Sequence, residues 1–399
     1  EGTVISLFYP LTSPQYLKSQ VSYLAIIFTS LAGSSVWGEP TVDSVVVVCG
    51  KSNDEVLYSR TLSVLFHFFE YSITDSVYIF TKDNTLTIIC SAKAKASFET
   101  LGSSHNGFKL VLIEKAGKEQ EAVDAQKAVD LIKASGPKTG VIAKDQPIGV
   151  FGETVTAYIN KHLDRTDVSL AIGLALQAKD SFARNAITTA STLASAVIGQ
   201  QAMPLLQSIT KGKKLTHNNV ADKLEASFEK LDELVKKTAD GQPLDVGEVE
   251  PAYTPIVQSG TYDLRPSAQS TDNAIVPNVV TVSTGLRYHS YCANIARTFF
   301  FSPAAVSGVK KDAYDAVLMA MEAGVDALKV GKTVGGVYQA VEAAISAIKP
   351  EWSEKLFKNV GCGIGLEFRE GHLVLNNTNS LKIEENTAYN VCIGLGDLK

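Results

Sequence analysis

The spacing of apolar and polar residues divides the chain into two styles. From about residue 40 to 145, short β-branched runs alternate with longer amphipathic stretches. Ser44-Val-Val-Val-Val-Cys49 has no polar interruption and predicts a buried strand, whereas Arg60 to Tyr71 carries aromatic residues on one helical face. Ser76-Val-Tyr-Ile-Phe80 and Leu86-Thr-Ile-Ile-Cys90 flank Lys82-Asp-Asn84, which is hairpin turn chemistry. Phe108 to Ile113 predicts a strand, Glu119 to Ala134 a helix and Gly140 to Ala143 a further strand. The succession implies an α/β lobe with a mixed sheet.

A second style begins near Gly152, with alanine-rich helical segments. Ala178 to Ser208 predicts one long helix that Pro204 either kinks or splits, because proline lacks a backbone donor and crowds the preceding turn. Thr216 to Lys237 predicts a further amphipathic helix, apolar at Val220, Leu224, Phe228, Leu231 and Leu234. From Val257 the pattern turns to strands, then to helices over about 304–329 and 333–348, then back to strands. Helix pairs interleaved with strand groups imply an α+β lobe with internal pseudo-symmetry. Near the start, Val21 to Ala32 is too short and too interrupted to span a bilayer and predicts a buried helix, so no membrane partner is expected.

Composition narrows the classes. A chain of 399 residues with 45% apolar content supports two cores. The formal charge of −5 argues against strong direct DNA binding through a broadly basic surface, which needs clustered Lys and Arg. Five cysteines, at 49, 90, 292, 362 and 392, form no CxxC pair, and their odd number does not suit a disulfide framework.

Candidate chemistry concentrates in Val282-Ser-Thr-Gly-Leu-Arg-Tyr288 with Ala293-Asn-Ile-Ala-Arg-Thr-Phe299, and in Gly361-Cys-Gly-Ile-Gly-Leu-Glu-Phe-Arg-Glu370. Their spacing resembles the two-metal site of the pita-bread metallopeptidases, the family of methionine aminopeptidase, aminopeptidase P and prolidase, with metal-free creatinase as a cousin. In that family the first segment carries two aspartates and the second two histidines, one a metal ligand and one beside the substrate. Here the aspartate positions read Ser283 and Asn294, and the histidine positions read Cys362 and Arg369. Cys392 falls where the resemblance places a glutamate ligand. Divalent metals in a bridged pair need anionic oxygen ligands. Ser283 and Asn294 offer neutral oxygens, and Arg369 adds a permanent positive charge.

Other readings of these residues compete. Cys292 shares a strand face with Asn294, so Cys292, Cys362 and Cys392, with His289 nearby, form an alternative thiol site for zinc. Buried free cysteine ordinarily acts as a small apolar filler, and Cys362 has no identifiable base to make it a nucleophile. Glycines 361, 363 and 365 lack the strand, helix and lysine context of a phosphate cradle and fit a bulged strand. Arg369 either pairs with a carboxylate such as Glu367 or Glu370, or anchors a ligand. His217, at a helix start, is expected to be exposed.

One branch of the family is resembled in particular: the N-terminal domains of the large subunits of FACT histone chaperones. The residues that carry this are Cys292 to Phe301, Gly361 to Glu370, Ala388 to Leu395, Glu250 to Ser267, Thr216 to Leu224 and, in the first lobe, Gly50-Lys-Ser52. The resemblance implies a two-lobe creatinase/aminopeptidase-like architecture, α/β over 1–165 and a pita-bread α+β lobe over 166–399, without peptidase activity, metal or cofactor. It further implies a nuclear, chromosome-associated module that binds core histones or their tails during nucleosome disassembly and reassembly in transcription, replication and repair. The small HMG-containing subunit would be met by parts of the full-length protein outside this chain. Ser283, Asn294, Cys362, Arg369 and Cys392 would line the vacated cleft as a binding surface. The competing function is a metal-dependent prolyl aminopeptidase with an altered metal site. Creatinase-like metal-free hydrolysis needs a histidine proton shuttle where Arg369 stands, and arginine does not exchange protons near neutral pH.

Overall fold

The structure, a computed structural model, describes residues 3–10, 42–51, 58–69, 71–105, 107–117, 119–263, 268–301 and 308–396. The expected helix from Val21 to Ala32 lies outside them. Two compact units are present, residues 15–176 and residues 1–14 with 177–399. The first strand of the chain, β1 (Thr3–Pro10), belongs to the latter.

Residues 15–176 form a mixed sheet with helices. In chain order the elements are β2 (Ser44–Cys49), α1 (Arg60–Phe69), β3 (Ser76–Thr81), β4 (Thr85–Cys90), α2 (Ala92–Glu99), β5 (Ser104–His105), β6 (Phe108–Glu114), α3 (Glu121–Ser135), β7 (Lys138–Val141), α4 (Val150–His162), β8 (Asp164–Asp167) and α5 (Ser169–Gln177). The strand order is β5-β6-β4-β3-β2-β7-β8. β2 is apolar from Val45 to Cys49 because both of its faces are covered: Val45, Val47 and Cys49 pack with Phe68 and Phe69, and Val46 packs with Ala128, Ile132 and Phe151. The β3–β4 hairpin turns at Asn84, whose φ of 58° is a left-handed conformation that asparagine tolerates.

In the other unit, α6 (Ser181–Ala196) runs into a π-turn over Val197–Ala202 and then into α7 (Met203–Thr210). Pro204 therefore neither splits nor stops the long helix. The widened turn shifts the hydrogen-bond register just before the residue that lacks a donor. α8 (His217–Ala226) is opened by a capping box between Thr216 and Asn219. The expected single helix to Lys237 is corrected here: it tightens at Ser227–Lys230, where the Ser227 hydroxyl donates to the Leu224 carbonyl at 2.6 Å, resumes as one α-helical turn over Leu231–Leu234, and ends at Val235, which is extended. Phe228 and Leu231 stay buried throughout, which is why the apolar pattern runs unbroken across the tightened turn.

The strands and helices that follow are β9 (Val249–Ser259), β10 (Val279–Tyr288), β11 (Tyr291–Phe300), α9 (Val309–Ala327), α10 (Val334–Ile348), β12 (Gly361–Gly363), β13 (Glu370–Val374) and β14 (Ala388–Leu395). They make a three-stranded sheet, β11-β10-β9, and a four-stranded sheet, β1-β14-β12-β13. β1 pairs with β14 along its whole length, from Thr3 opposite Leu395 to Pro10 opposite Ala388, and lies beside β11. That pairing places the first strand with the second unit, whereas the expected division ran 1–165 and 166–399. Residues 166–176 in turn go with the first unit, since β8 pairs with β7 and Ile172 and Ala175 enter its core.

Each sheet of this unit has a helical layer on one face. Leu193, Val197, Leu206, Val220 and Leu224 pack on Val257, Val280, Val282, Leu286 and Ile295, while α9 and α10 pack on Leu373, Tyr389, Val391, Ile393 and Leu395. Strand alternation then turns Ser283, Gly285, Cys292 and Asn294, and likewise Asn390 and Cys392, to the face away from the helices. At the outer edge of β13, the Asn379 side-chain amide donates to the His372 and Val374 carbonyls at 2.9 and 3.0 Å.

In the first unit, Phe98 is fully buried with ring centroids 5.2 Å from Phe69 and 6.1 Å from Tyr78. Phe98→Ala is expected to lower the stability of this unit by about 3–5 kcal/mol. A urea unfolding curve showing a loss below about 1 kcal/mol would mean that this aromatic cluster does not organise the core.

Candidate functional site

Antiparallel pairing sets Gly285 opposite Asn294 and Ser283 opposite Ala296, so the two vacated aspartate positions face the same side of the β10–β11 hairpin. Between them lies a residue that the motif reading missed, Tyr253 of β9. Its phenol donates to Asn294 Oδ1 at 2.6 Å and, with its one proton so used, accepts from the Ser283 hydroxyl. Gly285 makes room for the ring, since a Cβ there would lie 2.6 Å from Tyr253 Cε1. Phe368 meets the same ring edge-on at 5.5 Å. Burial pushes the Tyr253 phenol well above its ordinary pKa, against the pull of the Ser283 hydrogen bond, and a charge on Cys392 would raise it further. The group is a neutral hydrogen-bonding phenol at physiological pH.

Cys362 lies on β12 opposite Asn390, and Cys392 lies two residues further along β14. Desolvation pushes the Cys362 thiol up to about 12, with Arg369 pulling it down and Glu370 and Cys392 pushing it up. Cys392 is partly exposed. Cys292 is buried on the same strand face as Asn294, and its backbone N–H donates to the Gly365 carbonyl at 2.8 Å. The structure thus brings Ser283 and Asn294 to the Tyr253 hydroxyl, with Cys392 close enough to act on it electrostatically, whereas Cys362 is coupled to Cys392, Glu370 and the exposed Arg369.

Glu370, one of the carboxylates considered for Arg369, is engaged by Lys179. The pair is buried, with Nζ 2.6 Å from Oε1, and the same ammonium donates to the Gln177 carbonyl at 2.9 Å. Both side chains are almost inaccessible, 4% and 6% exposed. The Gly-rich segment is shaped by this pair. A Cβ on Gly363 would lie 2.8 Å from Glu370 Oε2, and one on Gly365 would lie 2.6 Å from Lys179 Cε. Gly361 has a φ of 132°, and a Cβ there would run into the Asn390 carbonyl oxygen. The β12–β13 register slips between Cys362 and Gly363, which is the bulge that the glycines permit.

Two histidine readings change as well. His217, expected to be exposed, is buried, and its ring nitrogens meet Thr271 Oγ1 at 2.9 Å and Ser259 Oγ at 2.8 Å. Desolvation lowers its pKa, so the ring stays neutral. His289 sits in the β10–β11 turn with a φ of 47° and contacts Glu248 at 3.1 Å.

A pair of divalent ions needs anionic oxygens. This pocket supplies a serine hydroxyl, an asparagine amide, a thiol held neutral and a phenol that lies across the space between the first two. Among the described residues, no three His, Cys, Asp or Glu side chains converge so as to hold a metal ion. The residues present do not fit a metal pair.

The sequence profile of metallopeptidase family M24 matches residues 185–398, over half of the chain. The chain belongs to family M24. Ahead of the M24 domain, residues 20–171 match the FACT complex subunit SPT16 N-terminal lobe domain. Among curated relatives, FACT complex subunit SPT16 of Mycosarcoma maydis is 32% identical over 90% of this chain and 36% of that protein. The chain therefore spans about a third of the length of the curated relatives it matches. Among solved structures, the N-terminal domain of FACT complex subunit SPT16 from Cicer arietinum superposes with a TM-score of 0.84 at 26% identity, covering 95% of this chain and 89% of that one. The Xaa-Pro dipeptidase from Bacillus anthracis shares the fold, with a TM-score of 0.67 at 16% identity over 94% of this chain and 93% of that one. This M24 chain thus combines an SPT16-type N-terminal lobe with the pita-bread fold of prolidases and aminopeptidase P. No helix among the described residues is long and apolar enough to cross a membrane.

Two measurements probe the M24 domain. Glu370→Gln leaves a buried ammonium without its counter-charge and is expected to cost about 3–5 kcal/mol, whereas the paired change Lys179→Met with Glu370→Leu is expected to recover most of that in urea unfolding. Equal losses for the single and the paired change would mean that the ion pair is not what the fold requires. For Cys362, the folded thiol titrates near about 12 against an ordinary 9.0. The unfolded chain ionises first, so this contribution is full below about pH 9 and is lost as pH rises toward about 12. Cys362→Ala should flatten the fall in urea midpoint between about pH 8 and 11. An unchanged fall would show that the thiol ionises freely in the folded protein.

Proposed function

We propose that this chain is a non-catalytic binding domain of a FACT-type histone chaperone. The observation that carries the reading is the hydrogen bonding of Tyr253 with Ser283 and Asn294, a neutral network at the place where a metallopeptidase needs carboxylates. The SPT16 relatives supply the biological setting. In this reading the protein is nuclear and chromosome-associated. It handles histones as nucleosomes are taken apart and rebuilt during transcription, replication and repair.

The vacated cleft is the proposed binding surface, lined by Ser283, Asn294, Cys362, Arg369 and Cys392. Arg369 is exposed and would take a carbonyl or carboxylate of an extended peptide, while the formal charge of −5 over the chain suits a basic partner. Core histones or their tails are that partner. The small HMG-containing subunit is met by parts of the full-length protein outside this chain. Direct DNA binding by the domain is weak in this scheme.

Calorimetric titration separates this function from peptidase chemistry. Metal-stripped protein is expected to give no specific heat with Mn²⁺, with or without an Xaa-Pro peptide. Binding of about two ions per chain, with hydrolysis of the peptide, would overturn the non-catalytic reading. Titration of histone H3–H4 is expected to show binding that weakens as salt is raised from about 0.05 to 0.3 M. Absence of binding even at the lower salt would remove histone recognition from this domain.

A further inference from the structure

We infer that the inner end of the vacated pocket is a built phenol site, that Tyr253 is its resident occupant, and that this side chain ties β9 to β10 and β11. Three independent contacts define the site. The hydroxyl end is held by Ser283 and by Asn294 Oδ1 at 2.6 Å. The ring comes so close to Gly285, at Cε1, that a side chain there would have no room. The ring is also met edge-on by Phe368 at 5.5 Å.

A cradle with a polar floor, a glycine wall and an aromatic rim recognises an aromatic alcohol and discriminates against the same ring without its hydroxyl. The reason is that a hydrocarbon would leave the Asn294 carbonyl and the Ser283 hydroxyl desolvated without the phenol between them. Tyr253 supplies that alcohol from within the chain. The inference concerns the chain's own side chain and stands apart from histone binding.

The test replaces the side chain with its free equivalents. Tyr253→Ala is expected to melt lower than the unaltered protein. p-Cresol at millimolar concentration is expected to raise the melting temperature of that variant saturably, with toluene giving at most a small fraction of the rise and neither compound shifting the unaltered protein. Adding Asn294→Ala to Tyr253→Ala should abolish the preference for p-cresol over toluene. Equal rescue by the two compounds, or no rescue by either, overturns the site.

Should Tyr253→Ala fail to fold, Tyr253→Phe keeps the question open to measurement. It is expected to lower the melting temperature by about 2–4 °C. In its background Asn294→Ala should then cost far less than it does in the unaltered protein, because the two groups share one hydrogen bond. Strictly additive shifts would show that the phenol and the amide are not coupled, and would overturn the inference.

Discussion

Polar groups that face the middle of a packed sheet must find partners inside the protein, and the M24 domain is organised around that constraint. Two arrangements meet it, one neutral and one charged. On β9, β10 and β11 a phenol joins a hydroxyl and an amide, and at the start of β13 a carboxylate meets an ammonium brought in by the segment just before α6. Glycines at 285, 363 and 365 stand where these side chains need room. Motif glycines that look like the remains of catalysis thus have a present structural use. Their place is set by the volume of Tyr253, Lys179 and Glu370.

The helical layers explain how the inner face tolerates such changes. α9 and α10 hold one sheet through Val391, Ile393 and Leu395, and α6 to α8 hold the other through Val280, Val282 and Leu286. Burial on the helix-covered faces holds the strands in place independently of the residues on the opposite face. A TM-score of 0.67 to a dipeptidase at 16% identity accords with this separation of scaffold from chemistry.

What was legible in the sequence follows the same division. The buried strand Ser44–Cys49 was readable from its unbroken β-branched run, the hairpin about Asn84 from its turn residues, and the helices α9 and α10 from their helical period. The π-turn ahead of Pro204 was not, because the shift of hydrogen-bond register leaves no mark on the spacing of alanines. The helix expected through Lys237 hides a tightened turn and stops at Val235, because Phe228 and Leu231 keep the apolar spacing unbroken across the change. At the site, the missing carboxylates at 283 and 294 stood in plain view. Tyr253 did not, since nothing in a single sequence couples a tyrosine on β9 to a serine 30 positions later. Lys179 and Glu370, 191 residues apart, were invisible for the same reason.

The outer edge of β13 bears on how this protein meets others. An unfinished sheet offers successive carbonyls to any passing strand, and that is how chains template one another into filaments. Asn379 turns its own amide onto the two carbonyls that a newcomer would use, those of His372 and Val374. One short side chain therefore occupies two of the acceptors along this edge. A strand arriving at this edge would have to displace that amide from both carbonyls before it could pair.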